Sequence, residues 1–211
     1  CWEDTPKPYL QSVDCPYCNT SDEKVLRQVL NDYDQATIPS FYQWRVEYTQ
    51  QELTDVTEES PYYDAVRFAF ESHYMEALTE DTFGVDQPGT AGELIGGFYA
   101  MIGGDGDPAE GIAYLSQFGI CPSDLDPAAE LPREDMLAYS WSFADAVQMN
   151  TEPADEFDLS AYTDAAEVSE GMEEGWGWAL TRGYMIPVED ALGVQTPATR
   201  GDVALMMMGI Y

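Results

Sequence analysis

The chain has 211 residues, with 40 acidic against 8 basic side chains, a formal net charge of −32, 45% apolar residues and 13% aromatic ones. That length fits one large domain, alone or with a small extra segment, and the apolar share can build a core, which excludes global disorder. No run of about 18 uncharged apolar residues or secretory h-region occurs, so no transmembrane helix is expected, and any targeting segment has been removed or lies outside the chain.

Lys7 and Lys24 are the lysines and the arginines are scattered, so a basic face for nucleic acid or an anionic bilayer is not expected. Residues 1 to about 20 are rich in turn formers and carry Cys1, Cys15 and Cys18; Cys121 lies far downstream. The Cys15-Pro16-Tyr17-Cys18 spacing admits a local disulfide, half a zinc site or a redox site. A thioredoxin-like redox site needs a buried strand before the motif, where PKPYLQSVD is polar and broken by proline. Zinc needs two further ligands, and Cys1, Cys121 and His73 are the remaining candidates. An even cysteine count in an acidic chain ranks disulfides first, zinc second and redox third. Cys1 is either the acylated residue of a processed lipoprotein or simply the first residue of this product.

From Ser21 a helix is expected: Ser21 as N-cap, Asp22 and Glu23 in the first turn, then Val25, Leu26, Val29 and Leu30 at helical spacing. Pro39 interrupts the chain, and SFYQWRVEYTQ after it alternates too poorly to be assigned. From Leu53 onward the sequence becomes repetitive. Three times a helical pattern leads through a short loop and an apolar anchor into a second helix opened by a similar tetrapeptide. The openers are Thr90-Ala91-Gly92-Glu93, Pro132-Arg133-Glu134-Asp135 and Thr199-Arg200-Gly201-Asp202, with Phe83, Leu125 and Leu192 each seven residues before them.

Thr90 and Thr199, with Glu93 and Asp202 three residues on, form capping-box patterns, whereas Pro132 offers no cap hydroxyl. The second helices carry Leu94, Ile95, Phe98 and Ile102; Met136, Leu137, Trp141 and Ala144; and Val203, Met206, Met207 and Ile210. The first helices carry Tyr62, Ala65, Val66, Ala69 and Phe70; Ile112, Leu115 and Phe118; and Met172, Trp176, Ala179 and Leu180. Six striped helices with short joints predict an all-α fold around a shared core. The GGDGDPAEG segment reads as a flexible linker, since its acids miss the spacing of a calcium loop.

These repeats resemble S-layer homology (SLH) motifs. LTDVTEESPYYDAVRFAFESHYMEALTEDTFGVDQPGTAGEL has the aromatic-rich first helix, the anchor and the opener of such a motif; IAYLSQFGICPSDLDPAAELPREDM is shorter, and YTDAAEVSEGMEEGWGWALTRGYMIPVEDALGVQTPATRGDVALMMM is close to the full pattern. The resemblance covers 53–211, as repeats of about 53–103, 104–150 and 151–211, and leaves 1–52 as a cysteine-containing segment with one helix. It implies a pseudo-threefold helical bundle in a secreted bacterial protein, held non-covalently on the cell wall by anionic, possibly pyruvylated secondary cell-wall polysaccharide. Arg133 and Arg200 are the matching glycan-binding positions, with Asp55 and Asp164 at the motif starts and Tyr63 as a stacking ring. Ala91 stands where the first repeat would carry its arginine, and His73 where the others have Gly119 and Gly183, positions that favour positive φ.

One histidine and no G-x-S-x-G leave no nucleophile–base set, so no enzyme, cofactor or metal is expected. The alternative function keeps the repeats as the scaffold of a surface layer or filament that self-associates without binding glycan.

Overall fold

The computed structural model describes residues 53–211, which lie within one compact unit, Gln51–Tyr211. The expected helix from Ser21 and the cysteines Cys1, Cys15 and Cys18 lie outside the described residues. The described residues are all-α, with six α-helices: α1 Tyr63–Glu71, α2 Ala91–Met101, α3 Pro108–Leu115, α4 Arg133–Ala146, α5 Glu173–Thr181 and α6 Arg200–Ile210. Single 3-10 turns occur at Ser116–Phe118, Leu159–Ala161 and Ala165–Glu167.

The helices after the openers, α2, α4 and α6, pack on one another at the centre. Their inward residues include Leu94, Ile95, Phe98, Met136, Leu137, Phe143, Val203, Met206 and Met207, all buried. Phe98 and Phe143 stack nearly parallel, with ring centroids 4.3 Å apart. Each preceding helix lies against an opener helix of different origin: α1 on α6, α3 on α2 and α5 on α4. The chain therefore closes on itself, because α1 packs against the last helix. Burial of this apolar surface, at roughly 25 cal/mol per Å², is what holds short helices that would be marginal alone.

Some expected stripe members sit elsewhere. Ile102 is the C-cap of α2 and 43% exposed, and Trp141 is half-buried while Phe143 takes the core position. Phe118 falls in the 3-10 turn after α3 and is 61% exposed, and Leu125 is half-buried, unlike the fully buried anchors Phe83 and Leu192. The segment read as a flexible linker is a tight helix entry. Gly103 and Gly106 have positive φ, Asp107 caps α3 by accepting from the Glu110 N–H at 2.9 Å, and Pro108 occupies the first helical position.

The ends of the first helices follow one pattern. His73, Gly119 and Gly183 have φ of 56°, 74° and 72°, and the following N–H of Tyr74, Ile120 and Tyr184 returns to the carbonyl of Ala69, Leu115 and Ala179. This left-handed turn satisfies carbonyls that the helix leaves open. His73 adopts it despite its side chain, which meets the Glu76 carboxylate at 3.2 Å. A Cβ at Gly119 or Gly183 would touch nothing within 4 Å, so an alanine there suffers backbone strain alone. Gly119→Ala and Gly183→Ala should each lose about 1 kcal/mol in urea unfolding, without change in helix content by circular dichroism.

Candidate functional site

The expected site residues gather around the three openers, where helix starts meet loops from other parts of the chain. An α-helix leaves its first N–H groups without internal partners. At α2, the N–H groups of Ala91 and Gly92 donate to the carbonyls of Ala129 and Pro127. At α4, those of Arg133 and Glu134 donate to Thr196 and Val194; at α6, those of Arg200 and Gly201 donate to Gln87 and Val85. The loop before each opener thus fills the start of another opener's helix. The residues just ahead of the openers close the same cycle, with Gly89 N–H donating to Ala198 O, Ala198 N–H to Leu131 O and Leu131 N–H to Gly89 O.

The next N–H is met locally. Thr90 Oγ1 accepts from Glu93 N at 3.2 Å and Glu93 Oε2 accepts from Thr90 N at 2.9 Å. Thr199 and Asp202 repeat the capping box at 3.1 and 3.0 Å. Pro132 makes no such bond.

Asp55 and Asp164 hold the filling loops in shape. Asp55 accepts from the backbone N–H of Phe83, Gly84 and Val85 at 2.8, 2.6 and 3.1 Å, and Asp164 from Leu192, Gly193 and Val194 at 2.7, 2.7 and 3.1 Å. Burial pushes both carboxyls up, but the backbone donors outweigh it and leave each below the ordinary aspartate value. Both acids therefore tie the chain to itself with the oxygens a ligand would need. The middle loop has no such remote acid. There Asp126 Oδ1 accepts from Ala128 N at 2.9 Å and orders the turn from within.

Arg133 is 2% exposed and spends its guanidinium inside the molecule. Nε donates to Leu192 O at 2.9 Å, Nη2 to Ile186 O at 2.6 Å, and Nη1 pairs with Asp202 Oδ2 at 2.6 Å. Gly193 makes room: a Cβ there would stand 3.1 Å from Arg133 Cδ. Asp202 is fully buried and also accepts from the Tyr62 hydroxyl at 3.0 Å. Burial, then the Asp202 charge, pushes the Tyr62 phenol up to about 12.

Arg200, 3% exposed, repeats the arrangement one joint on. Nη1 pairs with Glu93 Oε1 at 2.8 Å, Nη2 donates to Glu76 O, and the guanidinium lies over the Phe83 ring at 4.7 Å. Its Nε is buried without a partner, the atom for which Arg133 finds Leu192 O. Burial lowers the Arg200 pKa while Glu93 and Asp55 act the other way.

The second opener's arginine thus reaches the third opener's acid, and the third opener's arginine reaches the first opener's acid. The remaining joint would need an arginine at Ala91 facing Asp135, and it has none. Asp135 is exposed, and its carboxyl is raised by burial and then by the neighbouring Glu134. Glu134 turns inward instead, accepting from Trp176 Nε1 and Ser169 N, each at 3.1 Å.

Tyr63 is half-buried in the first turn of α1; the phenol that joins the cycle belongs to its neighbour Tyr62. Cys121 is buried and forms no disulfide among the described residues, and its candidate partners lie outside them. Tyr62 and Glu134 carry no sequence signal for these roles, since their partners lie 140 and 42 residues away. No group of side chains suited to a metal occurs among the described residues. A shallow groove of about 330 Å³ beside Asp55 is lined by Leu78, Thr79, Thr82, Gly84 and Gln87, among others.

The family described as Domain of unknown function (DUF8618) matches residues 1–69. That stretch takes in most of α1 and ends before the first opener. No curated protein matches the chain.

Two outcomes follow from the cycle. Arg133→Ala strands a buried Asp202 and should cost about 3–5 kcal/mol in urea unfolding. Arg200→Ala leaves the partly solvated Glu93 and should cost less, and pairing Arg133→Ala with Asp202→Ala should cost less than the sum of the two singles. The lowered carboxyl of Asp164 contributes stability that is complete above the ordinary aspartate value and is lost as pH falls through its folded value. The stability gap between the protein and Asp164→Asn should therefore be full near neutral pH and narrow below about pH 4, as read by denaturant titration across pH.

Proposed function

We propose that residues 53–211 are three SLH-like repeats in a pseudo-threefold bundle, serving a secreted bacterial protein as a non-catalytic module of the cell surface. The observation that carries this reading is the closed cycle of hydrogen bonds through the three openers. Each loop fills the start of the preceding opener's helix, and the first loop that of the last, at the same offsets, as tandem copies of one unit would do.

Of the glycan anchor that the resemblance implies and the scaffold that is its alternative, the fate of the cations among the described residues favours the scaffold. Retaining an anionic polysaccharide on a chain of net charge −32 requires accessible local cations. Arg133 and Arg200 are buried in ion pairs, Arg67 pairs with Glu71, and Arg182 donates to Glu152 O. The first N–H groups of the opener helices, which could otherwise receive an anion, are taken by loop carbonyls. In this reading Arg133 and Arg200 act as ties between repeats, and the module works by presenting its surface within an assembly.

Sedimentation over a range of concentrations, run beside a pull-down on pyruvylated wall polysaccharide, separates the roles. The scaffold reading expects self-association and no retention on polysaccharide. Retention that strengthens on adding salt from low ionic strength, as screening relieves repulsion, would favour the glycan anchor. A monomer at every concentration that is also not retained would overturn both.

A further inference from the structure

Three rings, half-buried Tyr99 on α2, Tyr114 on α3 and Phe118 in the 3-10 turn after it, lie outside the opener cycle. Tyr99 and Tyr114 have ring centroids 5.7 Å apart and tilted at 41°; Tyr114 and Phe118 follow at 5.2 Å and 51°. Tyr114 is 42% exposed and Phe118 61%, so two neighbouring rings are open to solvent. Phe118 ends the 3-10 turn Ser116–Phe118 four residues after Tyr114, and its ring meets the Tyr114 ring.

One carboxylate neighbours Tyr114 by helical spacing, and two more stand in the loop before it. Glu110 is exposed one helical turn before Tyr114, a spacing that places the two side chains side by side on α3. Asp105 and Asp107 stand exposed in the loop that enters the same helix, and no ion pair described in the structure uses any of the three acids. A carboxylate next to an open ring face suits a guanidinium or ammonium group, which gains the charge from one side and the ring quadrupole from the other.

We propose that the Tyr99–Tyr114–Phe118 face, with Glu110 at its edge, is a docking site for a cationic peptide segment of a partner protein, carrying arginine or lysine beside apolar residues. Charge selects this occupant. A net charge of −32 repels acidic partners and steers basic ones, and the rings, beside the Glu110 carboxylate, then supply the apolar contact. The inference is independent of the cell-surface reading, since it uses neither the openers nor the repeats.

The test titrates the full chain with a short synthetic peptide of alternating arginine and leucine, following binding by calorimetry and by amide chemical shifts. Salt is held near physiological strength, where attraction beyond about 8 Å is largely screened. The wild-type protein should bind with shifts centred on α3. Tyr114→Ser/Phe118→Ser should weaken binding at least about tenfold and Glu110→Gln about threefold, while Leu78→Ser/Val188→Ser, which trims exposed apolar groups elsewhere, should leave it unchanged. All these positions are exposed or at the rim, and circular dichroism should show each variant folded.

Equal binding by Tyr114→Ser/Phe118→Ser would mean that the peptide coats the acidic surface generally and would overturn the proposal. No binding by the wild type would overturn it as well. So would shifts on α3 that arise only with a neutral oligosaccharide, or only with rising protein concentration, since either would assign the face to a sugar or to a second copy of the chain.

Discussion

The first N–H groups of a helix must be satisfied, and in this protein that demand is met between distant parts of the chain. Each opener helix receives two carbonyls from a loop that precedes a different opener, and the loop before the first opener reaches the last helix. The central packing of α2, α4 and α6 depends on this closure, because the same bonds set where each helix begins and how it enters the core. The loops must in turn present their carbonyls correctly. Asp55 and Asp164 secure two of them by gathering three backbone N–H groups each, and the Asp126 turn secures the other. Removing one element therefore loosens a helix start elsewhere, which is the physical meaning of cooperativity in this fold.

Charge is distributed in keeping with that scheme. A chain so acidic repels itself, and its few cations have most effect where water is excluded. Arg133 and Arg200 stand at such places, each joining one opener to the acid of another while also binding backbone carbonyls. The joint between the first two openers lacks an ionic tie and is closed by backbone bonds and by close approach at Gly92, where a Cβ would meet Pro127 O at 2.8 Å. Among the described residues the buried arginines are neutralised locally, and most of the carboxylates stay at the surface.

Phe118 shows how an apolar stripe drifts off the core. Ile112, Leu115 and Phe118 recur every three residues, and on an α-helix such a repeat rotates by about 60° per step, whereas Phe118 lies four residues after Tyr114 and shares its side. The two rings meet with centroids 5.2 Å apart, and Gly119, with φ of 74°, ends the turn directly after Phe118.

The sequence by itself determined the six described helices to within a few residues, the capping boxes at Thr90 and Thr199, the missing cap at Pro132, and the left-handed helix ends at His73, Gly119 and Gly183. Each is a local property, decided by neighbours within one or two turns. The resemblance of the repeats to SLH motifs also singled out Asp55, Asp164, Arg133 and Arg200. Their environment is another matter, since whether a guanidinium faces water or a buried carboxylate depends on which segments come together from 50 to 140 residues apart. Only the tertiary structure decided that Arg133 reaches Asp202 across 69 residues, that Tyr62 rather than Tyr63 joins them, and that Glu134 turns to Trp176. One-dimensional spacing fixes which residues are equivalent, but burial and partnership are set by closure of the cycle, and no local signal encodes it.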